Sequence, residues 1–150
     1  MEQILIQETD FQKARNRIRE AKKQQPGKVI VFTSSDDELN RKILEKERID
    51  VLLIHLKGRR DKQKQRDSGF NQVMAKEAKR KNVIIGIDIN EFLSAKGKEK
   101  IEILARIEQN IKLCSKNKLK MSFIPQLKDK YDLKSLGLVL GMPTQMTKQL

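Results

Sequence analysis

VIVFTSSDDELNRKILEKERIDVLLIHL, residues 29–56, carries two continuous apolar runs separated by a segment whose apolar residues recur every three or four positions. Continuous apolar runs are typical of strands buried on both faces, and the spacing between them predicts an amphipathic helix. A strand, a helix and a strand in this order form the unit of a parallel sheet with a right-handed crossover. We expect Ser34 or Ser35 to cap the helix, with Asp36, Asp37 and Glu38 in its first turn, where the helix dipole favours acidic groups.

The same alternation extends along the chain in both directions. Strands are predicted at residues 4–6, 29–32, 51–56, 83–89 and 121–124, and helices at residues 11–23, 36–47, 69–81, 98–117, 133–140 and 144–149. The last two helices are separated by Gly141-Met142-Pro143, a stop and restart signal. The pattern therefore predicts an α/β fold, and a chain of 150 residues fits one domain, residues 1–150.

Positive charge dominates the composition and is concentrated in two segments. Lys and Arg number 33 against 20 Asp and Glu, giving a formal net charge of +13 and a pI near 9.9. The first segment, residues 57–66, contains Lys57, Arg59, Arg60, Lys62, Lys64 and Arg66, and the second covers residues 76–81. Clusters of this kind favour a nucleic acid as partner, and a merely solvated basic surface is the alternative.

Specific side chains can be assigned roles from this pattern. Arg59, Arg60 and Lys64 belong to a loop that we expect to be flexible and to follow the phosphates of a folded RNA. Lys76, Lys79 and Arg80 extend the positive charge along the following helix. Aromatic residues make up 4% of the chain, so few side chains are present on which bases could stack.

The RDSG run that follows the loop has a structural interpretation and a functional one. Arg66 and Asp67 can form a fixed pair that sets the loop at the end of a strand, with Arg66 also a candidate RNA contact. Alternatively, Asp67 or Ser68 caps a helix that begins near Gly69. Both interpretations can hold together.

Few residues offer metal-binding or nucleophilic chemistry. Cys114 is the single cysteine, so no internal disulfide or CxxC site can form; we expect a small buried hydrophobe and a reducing, cytoplasmic location. His55 is the single histidine and lies in a predicted strand, so we expect a structural role and no metal site. Asp88 and Asn90 end a strand, where a barrel enzyme places catalytic groups, but Asp88 is expected to cap the next helix or to pair with the basic loop.

Targeting and membrane signals are not expected. No run reaches the roughly 18 apolar residues that a membrane span requires. The first residues, MEQILIQETDFQ, combine a short apolar patch with acidic residues, which is not the pattern of a signal peptide.

Three segments in order resemble a known family: RDSGFNQVMAKEAKRKNVIIGIDINEFL (66–93), RIEQNIKLCSKNKLKMSFIPQ (106–126) and KYDLKSLGLVLGMPTQMTKQL (130–150). They resemble the protein component 3 family of archaeal ribonuclease P, which is also the thirty-kilodalton subunit family of eukaryotes. The resemblance runs from about residue 29 to residue 150. It implies a TIM-type α/β barrel that serves as a protein cofactor to a catalytic RNA.

The resemblance also implies partners and chemistry. Ribonuclease P removes the 5′ leader from precursor tRNA with magnesium held by the RNA, so we expect no catalytic residue and no cofactor bound by this protein. The expected partners are the ribonuclease P RNA, protein component 2 and other ribonuclease P subunits, with precursor tRNA contacted indirectly and no membrane. The apolar stretch 136–142 is a candidate contact for component 2. Whether the chain counts as an enzyme stays open, because the chemistry would belong to the complex.

The chain departs from the family pattern in four places. The family usually carries two further β-α units before the matched part, so we expect a truncated, partial or open barrel. Gln72 stands where the family tends to have His, and Pro125-Gln126-Leu127 replaces a Ser-Ser-Ala segment. A shortened segment before the Leu-Gly helix leaves Lys134 as the expected RNA contact there.

Two alternative functions remain open from the residues. A generic structured-RNA-binding protein of another ribonucleoprotein would explain the charge alone. A metal-dependent phosphoesterase would use strand-end carboxylates such as Asp88, but one histidine makes its ligand set hard to assemble.

Overall fold

A computed structural model describes residues 2–125 and 129–150. Within these residues the chain forms five strands and seven helices in an alternating order. The strands are β1 (Gln3–Gln7), β2 (Val29–Thr33), β3 (Val51–Ile54), β4 (Ile84–Asp88) and β5 (Met121–Ile124). The helices are α1 (Phe11–Gln24), α2 (Asp37–Lys46), α3 (Gln72–Lys81), α4 (Ile89–Ser94), α5 (Gly97–Lys116), α6 (Lys130–Val139) and α7 (Thr144–Thr147).

The strands form one parallel sheet in sequence order, β1-β2-β3-β4-β5. Because the order is not circular among the described residues, β1 and β5 lie at open edges. The prediction of an α/β fold with an open, barrel-like sheet is therefore confirmed.

The helices cover one face of the sheet. The larger core cluster contains the buried apolar residues of the helices together with strand residues such as Phe32, Leu52 and Phe123. The smaller cluster, on the opposite face, is formed by strand residues alone: Val31, Val51, Leu53 and Ile124, with Val29 and Ile84 against them. Helices on one face are the arrangement of a barrel wall, whereas a doubly wound sheet has them on both.

Two helix starts differ from the sequence prediction. Asp36, and not Ser34 or Ser35, caps α2, because its carboxylate accepts the amide hydrogens of Glu38 and Leu39. Asn71 caps α3 by accepting the amide hydrogen of Met74, at 2.9 Å. The prediction that Asp67 or Ser68 caps a helix beginning near Gly69 is wrong, because α3 begins only at Gln72, whereas Asp67 binds Arg59 and the Ser68 hydroxyl donates to the carbonyl of Phe70.

The sequence analysis did not predict the short helix α4, but it did predict the residue that caps it. α4 has six residues, too few for an amphipathic period to stand out in the sequence. Asp88 caps it by accepting the amide hydrogens of Asn90 and Glu91, so that part of the prediction is confirmed. Gln126 and Leu127, part of the predicted departure from the family, lie outside the described residues. Within the parts of the chain that the structure describes, no helix is long and apolar enough to cross a membrane.

Candidate nucleic-acid interface

Residues 55–71 lead from the carboxyl end of β3 to α3 and contain the predicted basic loop. The loop folds back on itself, because the backbones of Lys62 and Gln65 exchange two hydrogen bonds of 2.9 and 3.0 Å. Lys64 lies at the tip with a φ of 63°. In parallel α/β folds this edge of the sheet carries the functional loops. The loop is thus a folded projection at that edge, closed by its own backbone hydrogen bonds, and its flexibility stays a prediction.

Arg59 points into the protein, and its role as a phosphate contact stays a prediction. Its guanidinium forms two hydrogen bonds to Asp37, at 2.7 and 2.9 Å, and one to Asp67 at 3.2 Å. Its Nε donates to the carbonyl of His55 at 2.7 Å, and the side chain is 11% exposed. The paired carboxylates raise the pKa of Arg59 against the opposing effect of burial, which is the largest single influence. Arg59 therefore joins the loop to the start of α2.

Gly69 leaves space for the Arg59 side chain, and Asp67 binds its guanidinium. Gly69 has a φ of +69°, and a Cβ there would lie 2.6 Å from Cζ of Arg59 and 2.9 Å from Cγ2 of Ile54. Asp67 also accepts the amide hydrogen of Gly69, at 3.1 Å. The expected pair between Arg66 and Asp67 is wrong, because Asp67 is held by Arg59. Arg66 is exposed.

Arg106, on α5, donates hydrogen bonds to the loop from its buried side. The sequence analysis did not identify this role. It is 2% exposed and donates to the carbonyl oxygens of Leu56 and Arg59, at 3.2 and 2.8 Å, and to the Asp61 carboxylate at 3.2 Å. One turn further along α5, Asn110 donates to the carbonyl of Ser68 at 3.1 Å. The sequence did contain a signal for Arg106: it occupies a position on the apolar face of the predicted helix. A charged side chain that is buried there needs a partner.

Asp61, the single acid between residues 57 and 66, is directed back into the loop. It accepts the amide hydrogen of Asp67 at 2.8 Å and pairs with Arg106. The amide hydrogen bond first, and Arg106 second, hold the pKa of Asp61 below its usual value. Its negative charge is therefore largely offset within the loop.

The outward side chains of the loop form a positive surface, which we call the loop surface: Arg60, Lys62, Lys64 and Arg66. Arg60, Lys62 and Arg66 also line an open cleft of about 460 Å³ between the loop, the start of α3 (the cap Asn71 and Gln72), and Gln109 of α5. Of the predicted RNA contacts, Arg60, Lys64 and Arg66 are thus exposed together. Gln72, which stands where the family tends to have His, exchanges two hydrogen bonds with Asn117, the residue that ends α5, and so joins α3 to α5.

The remaining predicted RNA contacts lie elsewhere. α3 runs back along the sheet and carries Lys79 and Arg80 about 11–12 Å from its start, towards the opposite edge. Lys79 donates to the carbonyl of Lys118, and Arg80 pairs with Glu77. Lys76 is exposed along α3, and Lys134 is half-buried on α6. The structure does not gather the eight predicted residues on one surface.

The two residues with metal-binding or nucleophilic chemistry have contrasting surroundings. Cys114 is fully buried on the apolar face of α5, and burial raises its pKa to about 12, which confirms its role as a small hydrophobe.

His55 is half-buried beside Asp88 and Glu91, with Nδ1 3.4 and 3.3 Å from their carboxylates. The interaction with Glu91 raises the pKa of His55 above its ordinary value, and Asp88 adds to this. The sequence did not indicate that two carboxylates converge on this histidine.

Together the fold and the loop define a class: a barrel-type α/β protein with an ordered cationic surface at the carboxyl edge of its sheet. A model of the family described as RNase P subunit p30 matches residues 2–150. The chain belongs to the RNase P subunit p30 family.

Individual relatives agree with this assignment. Ribonuclease P protein component 3 of Methanosarcina mazei is 29% identical over 71% of this chain and 42% of its own length. The protein of the same name from Methanothermobacter thermautotrophicus is 24% identical over 93% of this chain and 54% of its own length. The chain thus spans about half the length, or less, of these curated relatives.

A solved structure shares the fold. A chain in a cryo-EM structure of archaeal ribonuclease P with mature tRNA superposes with a TM-score of 0.80 at 22% identity, covering 98% of this chain and 62% of that one. At this level of identity the superposition establishes the fold. The recognition of the family from the ordered motifs is confirmed.

Proposed function

We propose that this chain is a protein subunit of ribonuclease P, which binds and stabilises the catalytic RNA for removal of the 5′ leader from precursor tRNA. Membership of the p30 family supports the complex, and the loop surface supports the contact with RNA. The observation that carries the proposal is that Arg59, Asp61 and Arg106 turn inward and leave Arg60, Lys64 and Arg66 outward.

The loop surface is suited to phosphates and not to reading sequence. Its side chains are cations without neighbouring aromatic residues in the cleft apart from Phe70, which is 5% exposed and belongs to the core. Arginine forks bind phosphate oxygens in two-point geometry, and folded RNA presents phosphates in a fixed shape. Because the loop is held by buried contacts, little ordering entropy is lost on binding. The expected result is recognition of RNA shape at the carboxyl edge of the sheet.

The chemistry and the partners follow from the same proposal. The magnesium ions of the cleavage reaction are held by the RNA, and this chain contributes no group to bond breaking. Protein component 2 is the proposed protein partner, with other ribonuclease P subunits around it, and the complex acts in the cytoplasm. Part of the candidate stretch for component 2 is open, because Leu138 and Val139 on α6 are 50% and 82% exposed.

The test is cleavage of precursor tRNA by the cognate RNA at moderate magnesium, with and without this protein and component 2. A rate gain that requires both proteins is expected, together with no cleavage by the proteins alone. The variant R60A/K64A/R66A should lose most of the gain. The matched control K13A/K23A/K148A removes the same charge from exposed positions outside the loop and should retain it.

Two outcomes would contradict the proposal. RNA binding without any rate gain, and with equal affinity for unrelated structured RNAs, would identify a generic RNA-binding protein of another ribonucleoprotein. Cleavage by the protein alone with a divalent metal would identify a phosphoesterase. Within the described residues one group of three potential metal ligands occurs, which is fewer than a two-metal phosphoesterase site needs.

A further inference from the structure

Three side chains from separate positions converge at the carboxyl ends of β3 and β4. His55 directly follows β3, Asp88 ends β4, and Glu91 lies in the first turn of α4. One ligand atom from each lies within 4.8 Å of the other two. We propose that His55, Asp88 and Glu91 form a binding site for a single divalent transition-metal cation of the Zn²⁺ type.

The distances match those between two ligands of one metal ion and exceed the length of a charge-assisted hydrogen bond. Nδ1 of His55 is 3.4 Å from Oδ2 of Asp88 and 3.3 Å from Oε2 of Glu91. A charge-assisted N–H···O bond has a length of about 2.7–2.9 Å. In contrast, bond lengths of about 2.0–2.1 Å at tetrahedral angles place two ligand atoms about 3.3–3.4 Å apart. A cation in place of the Nδ1 proton would match both distances from His55, and the two carboxylate oxygens lie within 4.8 Å of each other.

Both carboxylates are held in the required orientation by their other oxygen. Oε1 of Glu91 accepts the amide hydrogens of Leu56 and Lys57, at 2.6 and 3.0 Å. Oδ1 of Asp88 accepts those of Asn90 and Glu91, at 3.0 and 3.2 Å. Each acid therefore anchors itself to backbone and directs its second oxygen at His55. Fixed ligand orientation by outer contacts is characteristic of metal sites.

The charge at the site favours a divalent ion. Two carboxylates face one imidazole, and the Glu91 side chain is 9% exposed, so its charge needs compensation within the protein. A protonated His55 supplies one positive charge for two negative ones. Arg59 is committed to Asp37 and Asp67, and Lys57 lies beside Glu99 at 3.7 Å. A divalent cation bound by neutral His55 balances both acids.

The ligand set indicates which ions would bind. One imidazole nitrogen and two carboxylate oxygens suit Zn²⁺, whereas Mg²⁺ prefers oxygen ligands alone. Three protein ligands leave a fourth tetrahedral position for water or another oxygen ligand, and the His55 side chain is 35% exposed. The inference revises the expectation, drawn from the lone histidine, that this protein holds no metal. It is separate from the magnesium assigned to the RNA.

The single histidine makes the test direct. Calorimetric titration of the full chain with Zn²⁺ should show one site, and Co²⁺ should give the visible absorption of a tetrahedral complex. H55Q and E91Q should each weaken binding by more than about tenfold, since loss of an outer contact alone costs 10–100-fold. E102Q, which removes a carboxylate from the exposed side of α5, is the matched control and should bind as the unaltered protein does.

Three results would overturn the proposal: no one-to-one binding, binding that H55Q leaves unchanged, or a Co²⁺ spectrum without tetrahedral character. Circular dichroism and thermal unfolding without metal establish that each variant is folded, and D88N provides a further ligand variant in which the asparagine can still cap α4. Because the titration uses neither RNA nor cleavage, its failure leaves the ribonuclease P proposal unaffected.

Discussion

Arg59 and Arg60 are adjacent in the chain but contribute to different properties of the protein. Arg59 is bound to Asp37, Asp67 and the carbonyl of His55, and Arg60 is exposed at the cleft. We expect R59A to lower the free energy of unfolding by about 2–3 kcal/mol, because hydrogen bonds to charged groups are lost while Asp37 and Asp67 remain partly solvated. R60A should change it by less than about 0.5 kcal/mol.

Urea unfolding followed by circular dichroism measures this contrast, with RNA affinity determined on the same variants. R60A should bind RNA more weakly while remaining as stable as the unaltered protein. Equal stability of R59A and R60A would show that the Arg59 contacts contribute nothing to the folded state.

The orientation of a single side chain is where sequence reasoning was least successful. Arg59, Arg60 and Lys64 have equivalent positions in the sequence pattern, and the partner that turns Arg59 inward, Asp37, lies 22 residues earlier. Composition and spacing carry no information about that contact. Burial of Cys114 was predictable, because it continues a helical spacing of apolar residues within its own helix.

At the scale of the element, the α3 helix depends on a cap that lies later than predicted. Asn71 accepts the amide hydrogen of Met74, and the loop occupies the residues before it. N71A should lower the free energy of unfolding by about 1 kcal/mol, the usual cost of removing an N-cap side chain. N71D retains an acceptor oxygen and should stay within a few tenths of a kcal/mol of the unaltered protein.

Thermal and urea unfolding of both variants test the assignment of the cap. A loss in N71D as large as that in N71A would mean that Asn71 acts through its amide hydrogens and not as an acceptor.

Strands and long helices were predictable because each element carries its own apolar period. The five predicted strands overlap those observed, and the predicted 98–117 helix differs from α5 by one residue at each end. The loop between β3 and α3 was not predictable as an ordered structure. Its order comes from Arg106 and Asn110 of α5, which are more than 40 residues further along the chain.

Arg106 gives this dependence a direct test. R106M keeps the aliphatic stem but leaves the carbonyls of Leu56 and Arg59 without their donor and Asp61 without its cation. We expect a loss of about 2–4 kcal/mol in the free energy of unfolding, as for other buried charged groups that lose a partner. Hydrogen exchange of the amides in residues 56–69 should become faster in the native state.

K112M is the matched control for R106M, because Lys112 is an exposed cation on the same helix. It should leave both stability and exchange in the loop unchanged. Unchanged exchange in R106M would show that the loop is ordered by its own hairpin contacts, between Lys62 and Gln65, and not by α5.

The whole molecule is built on an open parallel sheet. Positive side chains lie near the carboxyl ends of the strands, on the loop surface, and near their amino ends, at the end of α3. The family resemblance anticipated the openness, because five strands are too few for the usual closed barrel. Charge counting anticipated a nucleic-acid partner but not the separation between the loop surface and the end of α3. That separation follows from helix direction: in a parallel sheet, each helix returns the chain to the opposite edge.

The separation leads to a prediction about binding of RNA as salt is varied. Phosphate contacts release counterions, so the logarithm of affinity falls with the logarithm of salt concentration by roughly 0.7–0.9 per contact. If the loop surface makes the main contacts, R60A/K64A/R66A should flatten the slope by about 2 to 3. The variant K76A/K79A/R80A, with the same loss of charge on α3, should flatten it by less, because Lys79 and Arg80 lie towards the far edge and are engaged with Lys118 and Glu77. Fluorescence anisotropy with ribonuclease P RNA over a series of salt concentrations measures both slopes. A larger change in the α3 variant would place the principal RNA contact along α3, whereas equal changes would mean that RNA contacts both surfaces at once.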